Sequence, residues 1–201
     1  MKRGVRSALA LLASALAVGC VGTVVDQSFP ALDEGRPPIR RIAVARLVAR
    51  PEAAIAAAPL VARQLAEALA ARGVEVVLPD VIGQAGAAVE GAAGLAELAD
   101  RLHRELGVDA LLVGEITRWV EREGGAAGSQ RPASVGVQVE LYGAPDAQRL
   151  WRGEFDRTQQ SLLSNVLLTP RYPGGGTRWL TAGEFAQFAA SELAAALPLA
   201  P

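Results

Sequence analysis

The sequence predicts an α/β fold: a three-layer-like mixed sheet laid down as β-α-β-α-β, followed by an antiparallel β-meander and a C-terminal helix. Three observations predict it. Leucines and alanines recur with helical period around residues 60–69 and 95–106, and short apolar runs bracket both stretches. Val135, Val137, Val139 and Leu141 alternate strictly with Ser134, Gly136, Gln138 and Glu140, as in a strand with one buried face. Thr181 and Glu184 are spaced as a capping box, which opens a last helix.

The elements follow in order. Arg41–Val48 reads as the first strand. Leu60, Val61, Leu65, Ala68 and Leu69 then share one helix face, with Arg63 and Glu67 opposite, and Gly73 closes the helix. Val74–Leu78 is the second strand. Residues 80–94, rich in Gly and Ala, read as a loop into a second helix carrying Leu95, Leu98, Ala99, Leu102 and Leu106 on one face and ending at Gly107. The continuous apolar run Ala110–Val113 suits a central strand covered on both faces, extending toward Val120. Gly124–Pro132 is a polar hairpin loop and Gly143–Asp146 a turn. Arg149–Asp156 is a strand with Trp151 and Phe155 on one face. In the last helix Leu180 and Phe185 form a hydrophobic staple, Phe185, Phe188, Ala189 and Leu193 line the buried face, and Pro198 stops it.

The N-terminus has a different character. Lys2, Arg3 and Arg6 precede an apolar stretch from Val5 to Val18, short of the ~20 residues that a membrane-spanning helix needs and suited to a signal-peptide core. It ends at Cys20, the only cysteine. The final ALAVGC resembles the lipobox of bacterial lipoproteins, with Ala17 where Leu is usual. That resemblance implies acylation of Cys20, palmitate included, and its exposure as the mature N-terminus; the plainer alternative is a secretory signal with an incidental cysteine. The expected organisation is a lipoprotein signal peptide at 1–19, a lipidated N-terminus and flexible tether at 20–40, and one periplasmic α/β domain at 41–198. Val21, in place of the Asp that retains lipoproteins at the inner membrane, favours the periplasmic face of the outer membrane of a Gram-negative cell. Several acyl chains at about 0.8 kcal/mol per buried methylene would anchor the chain without a spanning helix.

Composition narrows the function. Lys2, Arg3 and Arg6 are the only basic residues among the first 19, which leaves 17 arginines against 21 acidic residues. This is no footprint for nucleic acid. With Cys20 acylated, no disulfide forms within the chain, so an ordinary core must hold it together.

Catalytic and metal-binding constellations are equally scarce. His103, the sole histidine, has no second His or Cys at ligand spacing, so neither a metal site nor a Ser–His–Asp or Cys–His arrangement is expected. Gly174–Gly176 lacks the lysine and the spacing of a phosphate loop. Glu115, Glu140, Glu154 and Asp156 fall on strands; a glycan hydrolase would need two of them facing one cleft, whereas a solvated sheet face is the simpler reading. A small apolar-ligand carrier, the other alternative, would need a cavity lined by Val and Leu. The expectation is therefore a protein that is not an enzyme, has no cofactor and has no catalytic or metal residue. The long irregular stretch from Trp151 to Trp179 is either closely packed or a partner-binding surface, the latter with Trp151, Gln159, Gln160, Asn165, Arg171, Tyr172 and Trp179 as its residues.

One family resemblance adds to this. RIAVARLV, a helix, VEVV and then Val108-Asp109-Ala110-Leu111-Leu112-Val113-Gly114-Glu115-Ile116 resemble the periplasmic α/β domain of the curli-secretion lipoprotein, the Pel-polysaccharide lipoprotein and the lipoprotein activators of penicillin-binding proteins. The N-terminal domain of the Tol-system propeller protein is similar. The likeness covers about residues 40–156. It implies a non-enzymatic accessory protein, anchored to the membrane through its N-terminal lipid, that binds another envelope protein or assembles with itself to support export, polysaccharide secretion or cell-wall synthesis.

Overall fold

The computed structural model describes residues 24–29, 38–82, 91–161, 171–173 and 176–199. Along the chain come β1 (Asp26–Ser28), β2 (Arg41–Val44), β3 (Val48–Ala49), α1 (Ala58–Ala70), β4 (Glu75–Val77), α2 (Pro79–Ile82), α3 (Gly91–Leu106), β5 (Ala110–Val120), β6 (Glu123–Gly124), β7 (Ser129–Arg131), β8 (Ser134–Gly143), β9 (Arg149–Thr158) and α4 (Ala182–Ala196). A 3-10 turn at Glu52–Ala54 precedes α1. Seven strands form one mixed sheet in the order β1-β9-β8-β5-β2-β4, with β3 also paired to β5, while β6 and β7 make a separate ribbon. β2 runs parallel to β4 and β5; β5, β8, β9 and β1 pair antiparallel. The α/β class, the meander and the C-terminal helix are thus as the sequence predicts.

The strands divide the core by parity. Ile42, Val44, Leu112, Ile116, Val137, Leu141, Trp151 and Phe155 point to the face covered by α1 and α4, where Leu65, Leu69, Phe185 and Leu193 complete the main core. Ala43, Ala45 and Leu111 point the other way, onto Leu95, Leu98 and Leu102 of α3. α3 covers only the parallel half of that second face. Over β8 and β9 the same face carries Gln138, Glu140, Arg152, Glu154 and Asp156. Among the described residues the sheet therefore has three layers at its parallel half and two at its antiparallel half.

Helix boundaries follow local chemistry. Gly73 and Gly107, expected to end α1 and α3, have φ of +81° and +64°, where a side chain would be strained. At the start of α4, Thr181 accepts from the Glu184 N–H while the Glu184 carboxylate accepts from the Thr181 N–H, the full capping box.

Four expectations are corrected. Arg41–Val48 is not one strand: between Val44 and Val48 the chain takes four steps while β5 takes three, from Leu112 to Glu115. This bulge turns Leu47 inward over Gly114 and leaves Val48 55% exposed. Leu60 is also exposed, because the buried stripe of α1 runs through Ala58, Val61, Ala62, Leu65 and Leu69. The expected loop at 80–94 contains α2 and the first turn of α3; residues 83–90 lie outside the described residues. Finally, residues 26–28 of the segment read as a tether add strand β1 to the sheet, with Val24 and Val25 buried beside it.

Candidate functional site

Cys20 lies outside the described residues, as does Asn165. Val24, the first described residue, is buried and stands four residues after Cys20. Four residues span at most about 14 Å when fully extended.

The residues of the Trp151–Trp179 stretch have distinct placements. Trp151 is fully buried: its ring crosses Gly153, where an added Cβ would collide with it. Its Nε1–H donates to Gln27 Oε1 at 3.3 Å, so the indole holds β1 onto β9. Tyr172 is buried edge-on to Phe185 and Phe188, with centroids 5.7 and 4.8 Å away, and these rings also surround Phe155. Burial raises the Tyr172 phenol's pKa. Gln159 is 3% exposed; its Nε2 donates to Arg178 O at 2.9 Å and its Oε1 accepts from the Leu180 N–H at 2.7 Å. These three side chains serve internal packing. Arg171 pairs with Glu192 of α4, whose carboxyl is pushed above its usual range by burial. Trp179 is half-buried, its N–H donating to Ala126 O at 2.8 Å and its carbonyl accepting from Arg122. Gln160 is exposed. The segment thus joins the β6–β7 ribbon to α4, and among its described candidate residues Gln160 and Arg171 are exposed and Trp179 is half-buried.

Two open clefts flank the β2–β3 bulge and share Arg46 and Leu47. The first, about 490 Å³, lies at the step where α3 stops covering the sheet. Leu47, Leu95 and Val113 form its apolar wall; Glu115, Gln138, Glu140 and Tyr142 form its polar floor. Two of the four strand carboxylates therefore border one concavity. Both are committed as acceptors: Glu115 to Arg50 Nε at 2.7 Å, Glu140 to the Tyr142 hydroxyl at 2.7 Å and Arg149 at 3.2 Å. Burial, with the Glu140 contact, pushes the Tyr142 phenol up to about 12. Asp156 pairs with Arg118, and Glu154 lies 3.9 Å from Arg152. The carboxylates thus form an ion-paired ladder across the sheet face.

The second cleft, about 500 Å³, lies at the β4 edge between the bulge, the 3-10 turn, the start of α1 and the start of α2. Its apolar wall includes Leu47, Ile55, Ala62 and Leu78. Six large hydrophobic side chains are exposed among the described residues. Ile55 and Leu78 line this groove, and Val48, Leu60 and Val81 each adjoin a lining residue. The sixth, Phe29, sits at the opposite edge beyond β1. This patch has only a weak sequence signal: Ile55 stands four residues before Pro59, and Leu78 directly before Pro79.

His103 Nδ1 lies 2.9 Å from the Val108 carbonyl oxygen, bracing the turn after α3. Among the described residues no group of three His, Cys, Asp or Glu is placed to hold a metal, and no helix is long and apolar enough to cross a membrane.

No protein-family model matches the chain, and no curated protein matches it. Solved structures do. The lipoprotein GNA1162 from Neisseria meningitidis is 21% identical, over 64% of this chain and 86% of that one, with a TM-score of 0.42. The LpoB C-terminal domain from Salmonella enterica is 15% identical, over 63% and 87%, with a TM-score of 0.40. The PelC dodecamer from Paraburkholderia phytofirmans is 19% identical, over 84% and 92%, with a TM-score of 0.50. The chain shares the fold of PelC.

Proposed function

We propose that this chain is a lipid-anchored assembly protein on the periplasmic face of the outer membrane, which self-associates there to support export, polysaccharide secretion or cell-wall synthesis. The observation that carries the reading is the place of Cys20: it ends a basic-then-apolar leader and stands four residues ahead of Val24, the first buried residue among those described. A thiolate is the nucleophile that lipid transfer requires. The dodecameric state of PelC, a protein of the same fold, supports self-association as the mode of action.

The test has two arms. Cells expressing the full chain are fed a clickable palmitate analogue and fractionated, and intact cells are treated with a cross-linker. The expected result is label on the wild-type chain in the outer-membrane fraction, no label on Cys20→Ala, and cross-linked multiples of the chain mass. An unlabelled soluble wild-type chain, or one recovered only as a monomer, would overturn the reading.

A further inference from the structure

The two edges of the sheet are complementary. The β4 edge presents the apolar groove of Ile55 and Leu78, flanked by the exposed guanidinium groups of Arg46 and Arg63 and by Asp80. The β1 edge presents Phe29, 46% exposed, with exposed Asp26 three residues before it. Asp26, Arg46 and Arg63 form no ion pair among the described residues. One edge thus carries an apolar knob with an anion three residues before it, and the other an apolar hole with two cations and one anion around it.

Register places the knob and the hole at one level. Trp151, Leu141, Leu112 and Val44 are successive partners across β9, β8, β5 and β2. Phe29 lies one residue past Ser28, the partner of Arg152. Leu78 lies one residue past Val77, the partner of Ala43. Phe29 and Leu78 therefore bound the same row, at opposite ends of a six-strand path about 24 Å wide at the usual strand spacing.

We infer that copies of this chain pack head to tail, with the Phe29 edge of one copy seated in the Ile55–Leu78 groove of the next and Asp26 facing Arg46 and Arg63. The inference rests on the self-association proposed above and names its surface. Two unlike patches on opposite edges suit a heterologous contact, because pairing groove to groove would leave both Phe29 side chains in water. A heterologous contact builds a ring when its rotation closes. Anchors at equivalent positions on every copy are compatible with such a ring when its axis is normal to the membrane. An aromatic side chain buries 150–250 Å² and is well placed to anchor such a contact.

Cys20 is the only natural cysteine, so engineered thiols report the contact directly. The full lipidated chain is prepared as Phe29→Cys, as Ile55→Cys and as the double variant, then oxidised in membranes, with wild type as control. The expected result is a disulfide ladder of two, three and more chains from the double variant and no ladder from either single variant. Leu78→Asp, at an exposed position, should shift the wild-type assembly to monomer by light scattering in detergent with an unchanged circular dichroism spectrum. Efficient dimers from Ile55→Cys alone would overturn the head-to-tail arrangement in favour of groove-to-groove pairing. Assemblies that survive Leu78→Asp and give no ladder would overturn this surface while leaving self-association standing. A monomeric wild-type chain would sink both.

Discussion

Glu184 is the residue where electrostatics, capping and tertiary order coincide. Its carboxylate receives Arg178 through two bonds, at 2.9 and 2.7 Å, and the Thr181 N–H at 2.9 Å. The Arg178 guanidinium first, and the Thr181 backbone second, hold its pKa near 2 against a usual 4.5. A carboxylate with a depressed folded-state pKa stabilises the fold above its unfolded pKa and loses that contribution as pH falls toward the folded one. The window is therefore from about pH 4.5 down to about 2. In thermal melts of Glu184→Gln, the drop in Tm between pH 6 and pH 3 should be smaller than in wild type. The variant should also melt lower at pH 6, because the capping box and the arginine pair are both weakened. Equal drops in the two proteins would show that Glu184 does not carry this part of the acid sensitivity.

Among the elements, the clamp of Gln159 shows why the C-terminal region holds its shape. The residue follows β9, its N–H donates to Ala133 O, and its side chain satisfies two backbone groups of the 178–180 segment that leads into α4. Removing a partner from buried backbone groups costs about 1–3 kcal/mol each, so Gln159→Ala, which frees two of them, should lower unfolding free energy by at least about 2 kcal/mol in urea melts. Gln160→Ala, one exposed residue on, should leave stability within about 0.5 kcal/mol. A Gln159→Ala chain of undiminished stability would show that the clamp is dispensable. This contrast also marks what the sequence could convey. Strict alternation told β8 apart because a half-buried strand has no other period, and α3 and α4 were legible from their stripes and caps. The bulge at 45–47 was not, since Arg41–Val48 is, after its first residue, an apolar run broken only by Arg46, which suits a continuous strand equally well, and only pairing with β5 shows the extra residue. Gln159 and Trp151 read as interface residues because their burial depends on segments far along the chain. β1 was hidden because Asp26, Gln27 and Ser28 have no apolar pattern; the Gln27 contact with Trp151 and the ladder with β9 define it.

At the scale of the whole molecule, the position of β1 changes how an anchored domain would stand on its membrane. A flexible tether over residues 20–40 would let the domain float far from the lipid. With Val24 and Val25 buried and Asp26 paired to Glu154, only the chain between Cys20 and Val24 can act as spacer, about 14 Å at full extension. A lipidated domain held this closely keeps the Val24 end of β1 near the membrane surface, and neighbouring copies then stand at one height with their sheet edges side by side, which aligns their Phe29 and Leu78 rows for contact. Neutron reflectometry of the acylated chain on a supported bilayer should therefore show protein density beginning within about 14 Å of the headgroups. Ten Gly/Ser residues inserted after Gly22 should open a solvent layer whose mean depth is about 15–20 Å, the coil dimension of such an insert, with the thermal melt unchanged. A wide solvent layer already present under the wild-type chain would mean that β1 detaches from β9 at the membrane and that the longer tether expected from sequence is the working one.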